Sequence, residues 1–287
     1  MKRYRKMRIL IFGGDERQIA ASDILSASGH EAVITGIDAG VLAKYGASDK
    51  YTDTAAQCDA VLFPLPFSTD GVNVNCPLST GKYNVCEVFR SLPKGTLIFC
   101  GMAGAFHKSC AEEYGHRLID YYESEELQIK NAVPTAEGAV WTFMNNKKIT
   151  VFGSDCTVAG YGKVGRALAD RLQKLGSRVT VAARSQRDVA SAHSCGMKSI
   201  ATDEYLSLYC DADCVFNTVP CNIFGKDFVS RMSEKTIFIE LASKPYGMSR
   251  ETAELLGERY IAAPSLPGRT APLSAGRIIA ETIIKYL

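Results

Sequence analysis

Two groups of residues in this chain have the types and spacing to do chemistry. The first is Gly160-Tyr161-Gly162-Lys163-Val164-Gly165. Three glycines at this spacing bind a dinucleotide when a strand precedes them and a helix follows. Gly160 permits the tight turn, Gly162 lets the backbone approach the pyrophosphate, and Gly165 lets helix and strand pack closely. Lys163 and Val164 open the helix, whose free N–H groups and dipole favour an anion. The second group is Arg184-Ser185-Gln186-Arg187, about 20 residues further on. An NAD site usually carries Asp or Glu there, to bind the ribose 2′-hydroxyl. Two guanidinium groups and the Ser185 hydroxyl would instead bind a 2′-phosphate. The expected cofactor is therefore NADP rather than NAD.

The elements that must hold these residues are readable. Cys156–Ala159 is a short apolar strand, Arg166–Leu175 has apolar residues at helical spacing and stops at Gly176, and Arg178–Ala183 is a second strand. Later strands end at Asn217, Glu240 and Ala263. Upstream, Met7–Phe12 reads as a strand followed by Gly13-Gly14-Asp15-Glu16-Arg17-Gln18 and a helix to Ala27. Ala32–Thr35, Cys58–Pro64, Thr96–Cys100 and Arg117–Asp120 read as further strands. Strands alternating with helices imply parallel sheets covered on both faces. The expected fold class is α/β with two parallel-sheet domains, the second a Rossmann domain. The expected division is 1–130 for the first domain, completed by a helix at 273–287, and 131–272 for the second. A crossover helix from Asn131 opens the second domain, with Pro134 in its first turn. The C-terminal helix is expected to return to the first domain.

Composition fits a soluble two-domain enzyme. The chain has 287 residues, 46% of them hydrophobic, and a net charge of +2. Balanced charge argues against a nucleic-acid partner, and the basic start Lys2-Arg3-Tyr4-Arg5-Lys6 reads as a solvated terminus. No apolar run reaches the length of a membrane span, and Met7–Phe12 is too short for a signal peptide core. Ten cysteines form no CxxC pair and no zinc-finger spacing. They read as small hydrophobes in a reduced cytoplasmic protein, with no metal site.

Several phrases together carry a family resemblance. They are Gly13-Gly-Asp-Glu-Arg-Gln18, Asn131-Ala-Val-Pro-Thr-Ala-Glu-Gly138, Asn217-Thr-Val-Pro220, Leu241-Ala-Ser243 and Leu266-Pro-Gly-Arg-Thr-Ala-Pro-Leu-Ser-Ala-Gly276. In this order the chain resembles the A subunits of dipicolinate synthase, which are similar to two-domain dehydrogenases of the 2-hydroxyacid and alanine type. The resemblance implies NADP-linked oxidation of a dihydrodipicolinate, or of its hydrated tetrahydro precursor, in the mother cell of spore formers. It also implies that the partner is a flavoprotein-like B subunit. A homodimer is the default oligomer. The chain departs from the family pattern at Glu240, where Asp is expected, at Tyr246 in Pro245-Tyr246-Gly247, where Gly is expected, and at Arg269, where Lys is expected.

A dicarboxylate substrate needs cationic clamps, a proton acceptor and a hydride acceptor. Candidate clamps are Arg17, at a helix N-terminus, and Lys244 and Arg269, after strand ends. Candidate acid–base groups are His107, Asp15, Asp120 and Glu137. By resemblance, Asn217, Thr218, Val219 and Pro220 lie against the nicotinamide, and small Ala242 and Ser243 leave room for its ring. Two alternatives stay open: another NADP-dependent dehydrogenase of an amino or hydroxy acid, and a nucleotide-binding scaffold that activates a catalytic partner.

Overall fold

A computed structural model of the chain describes residues 6–45 and 57–287. Most of the basic start, Lys2–Arg5, lies outside the described residues. The chain divides into two compact units. One runs to Asn131 and takes in Ala271–Leu287; the other is Ala132–Thr270.

In the first unit, β1 (Arg8–Phe12), α1 (Glu16–Ala27), β2 (Glu31–Thr35), a short α2 (Ala39–Leu42), β3 (Ala60–Leu62), α3 (Val85–Ser91), β4 (Leu97–Cys100), α4 (Ala105–Glu113) and β5 (Arg117–Asp120) follow in order. The sheet order is β2-β1-β3-β4-β5, and every pairing is parallel. Alternate residues of β1 feed two cores. Ile9 and Ile11 join Leu62, Phe99 and Ile279 on one face; Leu10 and Phe12 join Val61, Phe63 and Phe89 on the other. Burial on both faces explains why these strands read as continuous apolar runs.

Helix α5 (Glu125–Lys147) leads on through Asn131 and into the second unit. It begins six residues before the expected start, so Pro134 and Glu137 are interior residues and neither lies in the first turn. Pro134 removes one helix hydrogen bond. Ala136, Ala139 and Phe143 on the same helix are fully buried in the second unit's core, which offsets that loss.

The second unit continues with β6 (Asp155–Ala159), α6 (Lys163–Lys174), β7 (Arg178–Ala183), α7 (Gln186–Ser194), β8 (Lys198–Ala201), α8 (Thr202–Ser207), β9 (Cys214–Asn217), α9 (Lys226–Ser230), β10 (Ile237–Glu240), α10 (Arg250–Leu256), β11 (Tyr260–Ala262) and α11 (Leu266–Thr270). Its order, β11-β10-β9-β6-β7-β8, is all parallel and is that of a Rossmann domain. Strand β8 was not anticipated; Lys198-Ser199-Ile200-Ala201 has one strongly apolar residue and gives a weak signal.

Helix α12 (Pro272–Ile284) returns to the first unit, as the sequence predicts. It packs along α1, where a Cβ on Gly276 would lie 2.4 Å from the Arg17 carbonyl oxygen and 2.7 Å from Ala20 Cβ. Glycine at this point lets the two backbones touch.

Cys86 on α3 and Cys110 on α4 lie side by side, their Cα atoms 6.3 Å apart. Burial pushes the thiols of Cys58 and Cys76 up to about 11, so both stay protonated and unreactive. Among the described residues no cluster suits a metal ion, and no helix is long and apolar enough to cross a membrane.

Candidate functional site

In the second unit the carboxyl ends of β6, β7, β9 and β10 gather the glycine turn and its neighbours. Gly160 has φ +92° and donates its N–H to the Ala182 carbonyl at 2.8 Å. A Cβ there would lie 2.4 Å from Thr218 Oγ1. A Cβ on Gly165 would lie 2.1 Å from the Gly160 carbonyl oxygen, so that position excludes any side chain. Around Gly162 the space is open, with nothing within 4 Å of a Cβ. Gly162 caps α6 without a side chain. The first N–H groups of a 12-residue helix are therefore left without a capping side chain, beside open space at Gly162, which fits a pyrophosphate.

Beside the turn, Arg166 donates to the Tyr161 carbonyl at 2.8 Å and stacks over the Tyr161 ring. Its Nη2 pairs with Asp188 Oδ1 at 2.6 Å. Ser185 caps α7: its hydroxyl accepts from the Asp188 N–H and donates to Asp188 Oδ2 at 2.8 Å. The Ser185 hydroxyl, expected to be available to a phosphate, is thus engaged in the cap. Arg184 and Arg187 are exposed, and among the described residues neither makes an ion pair.

The end of β9 is held by a knot that sequence reasoning did not foresee. Asn217 is fully buried and Glu240 is 2% exposed. Asn217 Nδ2 donates to Glu240 Oε1 at 2.7 Å and to the Val219 carbonyl at 3.0 Å, and its Oδ1 accepts from the Val219 N–H. Glu240 also accepts from the N–H groups of Ala242, at 3.0 Å, and Gly247, at 2.8 Å. Burial raises the Glu240 carboxyl above its usual range, against the pull of these three donors. A Cβ on Gly247 would lie 2.3 Å from Asn217 Nδ2. Thr218 is fixed through its N–H and hydroxyl, both on the Ala159 carbonyl. Val219 is half-buried and Pro220 exposed, as are Ala242 and Ser243 respectively. Lys244 and Arg269 are exposed and make no ion pair among the described residues.

In the first unit, Asp15 caps α1, and its Oδ1 accepts from the Arg17 N–H at 3.0 Å. Gln18 closes the capping box by accepting from the Asp15 N–H. The Arg17 guanidinium folds back onto the cap: Nε and Nη2 each reach an Asp15 oxygen at 2.8 Å, and Nη2 also donates to the Leu65 carbonyl at 2.6 Å. Arg17 is only 4% exposed, so it is no surface helix residue. Among the described residues its Nη1 makes no hydrogen bond.

The acid–base candidates differ from free groups. Asp120 holds the N–H groups of Met102, Ala103 and Tyr122 at 2.8–3.0 Å, clamping the loop after β4, where Met102 has φ +64°. His107 Nδ1 accepts from the Gly104 N–H at 3.1 Å, which leaves its Nε2 to donate to the Gly71 carbonyl, also at 3.1 Å. Glu137, mid-helix, pairs with Arg171 at 3.2 Å. Each of these three has a structural partner that the sequence did not reveal.

A Rossmann unit with this cradle, joined to a second parallel α/β unit, defines an oxidoreductase built on a nicotinamide-dinucleotide-binding domain. Residues 124–260 match the D-isomer specific 2-hydroxyacid dehydrogenase NAD-binding domain family. Residues 8–122 match the family of N-terminal domains of the dipicolinate synthase A subunit. The chain is 29% identical to the dipicolinate synthase A subunit of Bacillus subtilis strain 168, over 98% of this chain and 96% of that one. The crystal structure of the dipicolinate synthase A subunit from Bacillus halodurans superposes with a TM-score of 0.85 at 28% identity, covering 97% and 96% of the two chains. A transhydrogenase from Sinorhizobium meliloti shares the fold at a TM-score of 0.69 and 14% identity, covering 96% of this chain and 92% of that one. Over nearly its whole length this chain is similar to dipicolinate synthase A subunits.

Proposed function

We propose that this chain oxidises a dihydrodipicolinate, or its hydrated tetrahydro precursor, to dipicolinate with NADP as the oxidant. The observation that carries the cofactor choice is the pair of exposed, unpaired guanidinium groups, Arg184 and Arg187, just after β7, where a carboxylate would select NAD. Bound nicotinamide supplies the hydride acceptor. The substrate ring loses a hydride from carbon and a proton to solvent or a base, and becomes aromatic; the products are dipicolinate, NADPH and a proton. From the hydrated form, water leaves first.

The chain's own residues position and neutralise. Arg17 offers its Nη1 donors to a substrate carboxylate, and Asp15 keeps the fork oriented. Lys244 and Arg269 are exposed cations suited to a second carboxylate or to cofactor phosphate. Asp120 and His107 act through the loops they clamp, and Glu137 through Arg171. The Asn217–Val219 loop and Ala242-Ser243 form the wall that the nicotinamide needs. The B subunit of a dipicolinate synthase is the proposed partner, and the mother-cell cytoplasm the proposed setting.

Absorbance at the reduced-nicotinamide band tests this reading. The purified chain is mixed with NADP and freshly generated dihydrodipicolinate, with and without the B subunit. NADPH formed by the chain alone supports hydride chemistry within it. Dipicolinate formed with no NADPH in either mixture overturns the reading.

A further inference from the structure

Arg166 closes the first turn of α6, where a cation opposes the helix dipole. That turn also holds Lys163 and no acidic residue. The Arg166 guanidinium is nonetheless held in place by the glycine turn. Its Nε donates to the Tyr161 carbonyl at 2.8 Å, and its central carbon lies 4.7 Å from the centre of the Tyr161 ring. The charge is answered from α7. Arg166 Nη2 donates to Asp188 Oδ1 at 2.6 Å, and the Ser185 hydroxyl donates to Asp188 Oδ2 at 2.8 Å. The same hydroxyl accepts the Asp188 N–H at 3.1 Å, the bond that caps α7. The cap uses a lone pair of the Ser185 oxygen, whereas its hydrogen goes to the carboxylate. One carboxylate thus ties the helix of the glycine turn to the segment after β7 that carries Arg184 and Arg187.

We propose that Asp188 occupies the place of the cofactor's 2′-phosphate in the free chain, and that Arg166 is a third cation for that phosphate, beside Arg184 and Arg187. The inference rests on the reading of the cofactor as NADP. A carboxylate that accepts from an arginine and a hydroxyl presents the acceptor pattern of a phosphate edge. A phosphate monoester carries more charge and more oxygens, so it can take over both donors. Neither the α7 cap nor the two Tyr161 contacts need break when it does. Asp188 must turn aside, and its side chain is 31% exposed against 47% for Arg166, so water meets both. An exposed ion pair of this kind contributes little to stability and is readily exchanged. NAD has no 2′-phosphate and leaves the pair as it stands. Asp188 is therefore a specificity-determining residue that competes with NADP for Arg166 and has no such effect on NAD.

The test is calorimetric titration of the intact purified chain with NADP and, separately, with NAD. The proteins are the wild type, Asp188→Asn, Arg166→Gln and the double variant. Asp188→Asn should tighten NADP at least about threefold. Arg166→Gln should weaken NADP at least about tenfold. NAD affinity should move by less than about twofold in both, and melting temperatures should hold, because the pair is exposed. In the Arg166→Gln background Asp188→Asn should give little further tightening, since the competition runs through Arg166. Full additivity overturns the proposal. So do equal losses for both cofactors on Arg166→Gln, which would give Arg166 to the glycine turn alone. Weaker NAD binding by Asp188→Asn also overturns it, because Asp188 would then hold a ribose hydroxyl. A wild type that prefers NADP yet is indifferent to both substitutions overturns this inference and leaves the cofactor reading standing. A wild type that prefers NAD overturns both.

Discussion

Asn217 and Glu240 end two neighbouring strands, β9 and β10, and bond to one another at 2.7 Å out of reach of water. The neutral amide is the donor and the carboxylate collects three N–H groups, so neither strand end can shift without orphaning a buried partner. The loops that follow, 217–220 and 240–247, are thereby set relative to the glycine turn. A buried carboxylate costs desolvation, and these donors offset that cost only while all are in place.

Removing the carboxylate should be severe. Glu240→Ala leaves Asn217 Nδ2 short of a partner and two backbone N–H groups orphaned, costing about 3 kcal/mol or more. We expect the melting temperature to fall by on the order of 10 °C. Scanning calorimetry checks this, and a change below ~2 °C would show the knot to be dispensable.

The same group sets a pH dependence. Its folded-state carboxyl is raised by burial, so the folded chain holds that proton to higher pH than the unfolded chain does. Its contribution to stability is full below the unfolded carboxyl range and is lost as pH rises through the raised value. Melting curves from about pH 4 to about pH 8 should show this decline in the wild type. Glu240→Gln should flatten that part of the profile while lowering stability throughout, because an amide NH₂ would face donors.

Two glycines of the turn should separate folding from binding. Gly162→Ala meets open space, so stability should stay within about 0.5 kcal/mol while cofactor affinity falls at least about tenfold, because the methyl occupies the pyrophosphate's approach. Gly165→Ala drives a Cβ into the Gly160 carbonyl and should damage both. Calorimetric titration with a nicotinamide dinucleotide, paired with melting, distinguishes the two.

Cofactor choice has its own test. Arg184→Ala with Arg187→Ala should weaken NADP binding about 100-fold or more, from charged hydrogen bonds worth about 1.5–3 kcal/mol each. NAD affinity should change by less than about twofold. Both side chains are exposed, so melting should not move. Equal losses for the two cofactors would remove the 2′-phosphate assignment.

Arg17→Lys keeps the charge but breaks the fork on Asp15. Turnover of the dihydrodipicolinate should drop about 100-fold or more while dinucleotide affinity holds. Undiminished turnover would assign Arg17 to the α1 cap alone.

Much of this was legible in the sequence because its signals are local. The glycine turn, the strand before it and the helix after it announce themselves by spacing, and buried parallel strands such as Arg8–Phe12 stand out as apolar runs. What escaped depends on distant partners. Asp120 looks like a free strand-end carboxylate until the loop after β4 folds onto it, and His107 looks unpartnered until the Gly71 carbonyl arrives from 36 residues away. Pro134 normally marks a helix start, yet burial of the Ala136–Phe143 face carries α5 through it. Glu240 had a signal, a strand-end carboxylate where the family resemblance expects Asp, but only the fold reveals the amide opposite.

The return of α12 to the first unit has a consequence for biosynthesis. Ile279, Ala280 and Ile283 complete a core whose other members precede residue 132. On the ribosome, the intervening 132–270 segment takes roughly 7–28 s to synthesise. That segment emerges whole while the earlier unit waits without the helix that packs along α1. Completion of the first unit thus depends on the residues made last, and the interval of exposure is where a holdase chaperone would act.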